Sequence, residues 1–545
     1  MATTEVPPGE PAASTGGRRA LFPIIVAAVA AVLIAVLWFL PENLAMRGLP
    51  MTATVLLIVP LSLIAIGVWF FWLAGFSGRT RIGGGVIAVL LIAGFFGSLR
   101  GVEFSGEMVP TFLFRWDPDR RTLLEQHRAA MAADLTPLTE DDLTIGSLDM
   151  AEYRGAARDG VVGGPPLSRE WSAQPPERLW RQPVGGGYAA FVVVGPVAIT
   201  IEQRRDQEAI VAYDTETGYE RWIYEYPAFF QEPAGGDGPR ATPTVSDGRV
   251  YSLGATGELV CLDAFDGRLI WDINVLKANG VENLVWGMSG APLVHDGLCI
   301  VNPGAQEDVP DSRAVWALDA ASGEVRWKSG RGKAAYASPM IATMAGQEQI
   351  LIFDAVGLAG FDLAGGKQLW SHRWWSMNDI NAAQPLVLPG DRVFISSDSG
   401  GAVLQIAHDS AAADAEDDAS GEGQSWQVDE VWSNNRMSCA YANPVYRDGY
   451  IYGLNRGILA CVDAETGKQI WKSGRYCHGQ LLLSDELLVV LSEQGELVLV
   501  KATPEYSGEL AKLQAVEGKT WNNPTLADGI LYARNHIEMA AYDLR

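Results

Sequence analysis

Three long apolar runs fill the first hundred residues: Leu21 to Leu40, Thr52 to Phe76 (broken by Pro60, Ser62 and glycines) and Ile82 to Leu99. Each approaches the ~20 residues that cross a bilayer as a helix. Three in succession, with no small-residue cleavage site after the first, predict membrane helices rather than a signal peptide. Beyond residue 100 the pattern changes. Short runs of β-formers alternate with turn signals, and no apolar run reaches spanning length. Arg120 to Ala133 is read as a short helix, and the Pro- and Gly-rich stretch from Gly163 to Pro176 as a boundary. The expected organisation is a cytoplasmic tail (1–20), three transmembrane helices (21–99), a linker with a short helix (100–176) and a β domain (177–545).

The β domain is built of copies. Five times an aspartate is followed four residues later by glycine and eight residues later by tryptophan: Asp214-Gly218-Trp222, Asp263-Gly267-Trp271, Asp319-Gly323-Trp327, Asp362-Gly366-Trp370 and Asp463-Gly467-Trp471. A fixed internal unit of this length marks a repeat architecture. Two residues before each aspartate stands a small residue: Ala212, Cys261, Ala317, Gly360 or Cys461. It leaves room for an indole to pack on the next unit. The Asp-x-x-x-Gly segment is a tight turn, with glycine supplying positive φ. Upstream lie Asp-Gly hairpin signals at 247–248, 296–297, 448–449 and 528–529. Before them a proline heads another strand: Pro243, Pro292, Pro339, Pro385, Pro444 and Pro524. Four short antiparallel strands per unit, arrayed radially, make a β-propeller.

Three units are disguised. His408-Asp409 opens one whose tryptophan, Trp432, is delayed by an acidic insertion at 409–430, read as a solvated loop. In another, Lys501 replaces the aspartate and Lys512 the tryptophan. The third is divided between the ends of the domain: Tyr542-Asp543 lacks a tryptophan, and Trp180 lacks an aspartate. Joining them closes the ring and removes exposed sheet edges. The expected fold is an all-β, eight-bladed propeller preceded by three transmembrane helices.

Charge narrows the partners. The chain has 65 acidic and 41 basic residues, a formal net charge of −24, which argues against nucleic-acid binding. Arg18, Arg19, Arg79 and Arg81 flank the apolar runs on one side, so the positive-inside rule places the N-terminus in the cytoplasm and the propeller outside. In a bacterium with two membranes this is an integral inner-membrane protein with its propeller in the periplasm. The five cysteines are scattered, without a CxxC pair. Cys261 and Cys461 hold the small packing position. Cys439 and Cys477 fall at similar places in adjacent units, where an oxidising compartment permits a disulfide.

The Ala-x-Asp-x-x-Thr-Gly-x-x-x-Trp unit resembles the pyrroloquinoline-quinone-like (PQQ-like) repeat, over roughly Trp180 to Arg545. Eight blades is the number typical of that superfamily. The resemblance implies one of two functions. Quinoprotein dehydrogenases bind PQQ and calcium on the propeller axis, oxidise a sugar or alcohol and pass electrons to membrane quinone. BamB-type propellers bind no cofactor and scaffold envelope assembly. Membrane helices before the propeller, and the lead-in Glu152-Tyr153-Arg154, suit the first. The absence of an adjacent cysteine pair, of inserted ligand segments and of long loops suits the second. The leading expectation is a binding or scaffolding module for a protein or envelope ligand; the alternative is the dehydrogenase.

Inner strands converge on the axis, so residues near the prolines are the candidates for a small-molecule site in the central channel: Arg240, Trp286, Tyr336, Asn381, Asn443 and Asn522, with Tyr188 in the first unit. The same residues could simply fill the axis. His478 and Asp379 are candidate bases, though a structural histidine and a loop-capping aspartate are the favoured readings. The repeat aspartates are turn residues.

Overall fold

The computed structural model describes residues 15–39, 51–106, 110–130, 135–232, 235–409, 426–506 and 508–545. It divides into two compact units, Met1–Asp117 and Pro118–Arg545.

The first unit holds three helices, Thr15–Phe39, Met51–Val68 (continued by a π-helical turn, Trp69–Leu73) and Gly78–Ser98, then the hairpin Leu99–Phe104/Pro110–Phe114. Ser77 caps the third helix by accepting from the Thr80 N–H at 3.2 Å. Gly78–Ser98 is long and apolar enough to cross a membrane. The described apolar stretches of the other two, Leu21–Leu33 and Ile58–Leu73, are shorter. The expectation of three membrane-spanning helices therefore reduces to three helices, one of which meets the criterion for a span.

The second unit is an eight-bladed propeller. Blades 1 to 7 cover 192–227, 244–274, 293–329, 340–373, 386–434, 445–475 and 480–514. Blade 8 joins 525–543 to Glu177–Pro183, with Trp180 opposite Ala541. The ring closes where the sequence predicts. The core is divided into layers between successive blades, such as Val260 and Leu262 of blade 2 against Ile199 and Ile210 of blade 1.

The repeat motif is the joint between blades. Except for Trp370, which donates to Gln349 Oε1 within its own blade at 2.7 Å, each repeat tryptophan N–H donates to a carbonyl in the next blade's turn: Trp180 to Thr215 at 2.8 Å, Trp222 to Ala264 and Trp271 to Ala320 at 3.0 Å, Trp327 to Leu363 at 3.1 Å, Trp432 to Ala464 and Trp471 to Thr503 at 2.9 Å. The indole lies on the motif glycine of that blade. A Cβ at Gly323 would stand 2.7 Å from the Trp271 ring, and Gly323 has φ 74°, so glycine answers both a conformational and a packing demand. The small residue has a different place from the one expected. It is the cross-strand partner of the tryptophan within its own blade, as Cys261 is of Trp271. The repeat aspartates fold their own turns: Asp463 Oδ1 accepts from the N–H groups of Glu465 and Thr466 at 3.1 and 2.8 Å. In blade 7 the large and small partners are exchanged, with Leu499 opposite Ala511 and Lys512 opposite Val498. Ala511, not Lys512, thus stands in the tryptophan's place. Trp432 pairs with Val403, so Gln405 and not Asp409 stands in the motif aspartate's place, and the two outer strands of blade 5 run on past it to the pair His408↔Trp426. Residues 410–425 of that insertion lie outside the described residues.

Candidate functional site

Each inner strand enters the ring through a residue directly before the proline, or its equivalent. Around the ring these are Ala190, Thr242, Ala291, Ser338, Gln384, Asn443, Gln480 and Asn523. They form a hydrogen-bonded belt in which one blade's backbone N–H donates to the next blade's side chain. Ala190 donates to Thr242 Oγ1 (3.0 Å), Ala291 to Ser338 Oγ (2.9 Å), Ser338 to Gln384 Oε1 (3.2 Å), Gln384 to Asn443 Oδ1 (2.8 Å) and Asn443 to Gln480 Oε1 (3.3 Å). Short polar side chains suit this position because the converging backbones have no sheet partner across the axis.

The lead-in closes the belt from one side. Met150 bridges to Val193, Ala151 accepts from Val245 N–H, and Val161–Val162 adds a parallel strand to blade 7. The chain between them crosses the channel. Tyr153 Oη accepts from Asn443 and Asn523 at 2.9 and 3.1 Å. Arg154 donates to the carbonyls of Pro444 and Leu481, both at 2.9 Å. Arg158 donates to Pro292 (2.6 Å), Pro339 (2.8 Å) and Ala291 (3.2 Å), and to Glu152 Oε2 at 3.2 Å. Both arginines are 1% exposed and have positive φ, 64° and 54°. Burial pulls both guanidinium groups below their ordinary pKa, while the blade carbonyls and Glu152 supply the compensation that buried charge requires.

The opposite mouth carries an aromatic and cationic rim. Two residues before the belt position stand Tyr188, Arg240, Ser289, Tyr336, Ala382, Tyr441, His478 and Trp521. Four of them form a tilted arc: Tyr188–Trp521 centroids are 5.2 Å apart, Trp521–Tyr441 6.0 Å, Trp521–His478 6.2 Å and Tyr441–His478 5.0 Å. Lys519 Nζ lies 4.3 Å from the Trp521 centroid and 5.4 Å from that of Tyr188. Arg240 packs over Tyr188 and Phe230 at 5.6 and 5.0 Å. Two buried groups here point at no partner, Asn522 Oδ1 and Trp521 Nε1.

The predicted candidates divide accordingly. Arg240, Tyr336 and His478 are rim residues. Trp286 packs on Tyr336 at 5.7 Å, and burial pushes the Tyr336 hydroxyl up to about 12. His478 Nδ1 lies 3.4 Å from Glu493 Oε2, which also accepts the His478 backbone N–H. Asn443 belongs to the belt. Asn522 is buried and donates to the Ala189 carbonyl at 2.8 Å. Asn381 donates to the Asp354 carbonyl at 2.7 Å, and its own carbonyl accepts from Tyr336 and Ala337. Asp379 is an exposed loop residue ion-paired to Lys333 at 2.7 Å, away from the belt. Cys439 and Cys477 are free thiols, and burial raises that of Cys439 to about 12.

Three positions of interest escaped the sequence reading. Tyr441 and Trp521 complete the aromatic arc; counting three residues back from each proline finds them. Asp354 directly follows the second strand of blade 4, Gln347–Phe353. Its Oδ1 accepts from Val356 and Gly357 N–H at 2.8 and 3.1 Å, yet burial lifts the carboxyl to about 6.

Comparison with known proteins places this architecture. The family model described as outer membrane protein assembly factor BamB matches residues 206–473 and 455–545. A quinone-type alcohol dehydrogenase, dehydrogenase subunit, from Komagataeibacter europaeus is 29% identical over 121 residues, 22% of this chain and 16% of that relative's length. Among solved structures, the quinohemoprotein alcohol dehydrogenase ADHIIG of Pseudomonas putida aligns over 76% of this chain and 83% of its own, with a TM-score of 0.51 and 13% identity. BamB from Moraxella catarrhalis aligns over 67% of this chain and 98% of its own, with a TM-score of 0.45 and 15% identity.

The resemblance of the repeat to the quinoprotein dehydrogenases implied PQQ and calcium on the axis. The belt does not fit calcium: its amides and hydroxyls are engaged blade to blade, and two guanidinium groups bring positive charge into the channel. Calcium selects carboxylate-rich oxygen cages. Among the described residues, the group able to hold a metal lies elsewhere, at His295, Asp296 and Glu348. The family model covers more than half of the chain, and the chain belongs to the family of the outer membrane protein assembly factor BamB, the PQQ-like propellers.

Proposed function

We propose that this chain is a membrane-anchored, periplasmic binding propeller that holds a protein segment on its aromatic rim. The helix Gly78–Ser98 serves as an anchor. The carrying observation is the contrast between the two mouths of the channel. One is sealed by the lead-in, and the other presents stacked aromatic rings with Arg240 and Lys519. Around the open mouth, loops between blades expose Phe229, Val285, Trp375, Met377 and Tyr441, with Trp375 at 75%. Exposed apolar groups gathered around a polar centre mark an interaction surface. Tyr, Trp and Arg are the residues that carry binding energy at such surfaces. The turns on the opposite side expose Asp247, Asp296, Asp448 and Asp528. The open mouth therefore suits a partner segment that combines acidic and apolar side chains. Envelope assembly, the role in the family's description, supplies such partners.

The test is affinity purification of the full-length chain from its host's membranes, compared with a Tyr441→Ala/Trp521→Ala variant. The reading predicts a specific co-purifying envelope protein that is lost from the variant while the melting temperature stays within a few degrees. Retention of the partner by the variant would contradict it. The dehydrogenase alternative is tested in parallel by adding PQQ and calcium and following dye reduction with glucose and simple alcohols. No reduction is expected, and turnover would install the alternative.

A further inference from the structure

We propose that blades 3 and 4 hold a divalent transition-metal ion of the zinc class between their innermost hairpins, ligated by His295, Asp296 and Glu348. The side that bears these hairpins is opposite the rim, so the site is separate from the partner surface.

The repeat is broken at this place in a way that builds the site. The first hairpins of blades 1, 2, 3, 5, 6 and 8 pair three residues with three, and that of blade 7 pairs five by starting two residues earlier, at the belt residue Gln480. In blade 4 the hairpin pairs five with five, from Met340↔Leu351 out to Met344↔Gln347. The extension carries Glu348, opposite Thr343, beside the turn of blade 3. That turn presents His295 and Asp296. Asp296 and Gly297 have φ 47° and 72°, and the Gly297 carbonyl accepts from Ala320 N–H at 2.8 Å. The blade 4 turn is held by Ala345 N–H donating to Asp391 Oδ1 at 2.7 Å. Both turns are thus fixed by neighbouring segments, one through backbone and one through the Asp391 carboxylate, and do not depend on the ion for their shape.

The ligand atoms have the separations that a small ion requires. His295 Nε2 lies 3.2 Å from Glu348 Oε2 and 3.9 Å from Asp296 Oδ2, and all three ligating atoms fall within 4.8 Å of one another. Tetrahedral zinc, with bonds of about 2.0–2.1 Å, separates its ligand atoms by about 3.3–3.4 Å. One edge already matches, and modest rotation of the exposed Asp296 and Glu348 carboxylates closes the others. An imidazole with two carboxylates supplies two negative charges for a divalent ion, and water takes the fourth position. The mixed nitrogen and oxygen donor set, with an imidazole, favours zinc over calcium or magnesium.

The experiment is calorimetric titration of metal-stripped full-length protein with Zn²⁺ alone, with Ca²⁺ and Mg²⁺ as controls. One zinc ion per chain is expected. Affinity should fall at least tenfold in His295→Ala and in Glu348→Gln, and stay unchanged in Asp448→Asn, which alters the corresponding turn of blade 6. Thermal melts without metal should agree among all four proteins, and zinc should raise the melting temperature of the wild type but not of His295→Ala. Absence of saturable zinc binding, or equal binding by wild type, His295→Ala and Glu348→Gln, would overturn the site.

Discussion

Asp354 accepts two backbone N–H bonds and still titrates near pH 6 because its surroundings exclude water. The unfolded chain releases this proton near pH 4, and the folded chain keeps it to about 6. Between those values the native state binds more protons, so the contribution to stability is full below pH 4 and is lost as pH rises through 6. Asp354→Asn keeps the Oδ1 acceptor and removes the charge. It should stabilise the protein at pH 7.5 by up to about 3 kcal/mol, with little effect at pH 4, as read from melts across that range. An unchanged pH profile would refute the burial argument. This residue was not legible beforehand, because its surroundings come from segments distant in sequence: its carboxylate lies against Gly332, where a Cβ would stand 1.6 Å from Oδ2, and Asn381 donates to its carbonyl. The rim was partly legible. Arg240 and Tyr336 were found because they sit near prolines and His478 because it is a candidate base, while Tyr441 and Trp521 needed a strict count of phase. Asp379, the other candidate base, is exposed and ion-paired with Lys333.

Among the elements, the lead-in 150–162 shows how a segment with only a two-residue strand of its own can organise a ring. Arg158 alone gathers carbonyls from the entry points of blades 3 and 4. Charged hydrogen bonds of this kind contribute about 1.5–3 kcal/mol each, and unpaired buried carbonyls cost more than absent ones. Arg158→Ala should therefore lower stability by at least about 3 kcal/mol, and Arg158→Lys should recover only part, since an ammonium cannot reproduce the fork. Thermal melts of the two variants check this; an alanine variant that melts with the wild type would show that the lead-in is an ornament. Sequence alone marked the Glu152-Tyr153-Arg154 segment as family-like but could not place it. Its acceptors lie up to 327 residues away, and they exist only once the ring has closed. The blade joints were the reverse case. Tryptophan, glycine and aspartate at fixed spacing announced themselves, because each joint is local to two adjacent repeats.

For the molecule as a whole, the eight blades and the composite closing blade could be read from the chain because every copy repeats the same physical demand. Function could not, because the motif residues are spent on joints and turns and leave the axis to non-repeating side chains. What distinguishes the two mouths is the lead-in on one and the aromatic, cationic rim on the other, and the account rests on that difference. Its most direct test is photo-cross-linking in living cells with a photoreactive residue placed at Tyr441 or Trp375 on the open mouth, and at Asp448 on the opposite side. The account predicts one discrete envelope protein cross-linked from Tyr441 and Trp375 and none from Asp448. A partner captured from Asp448 alone would contradict it.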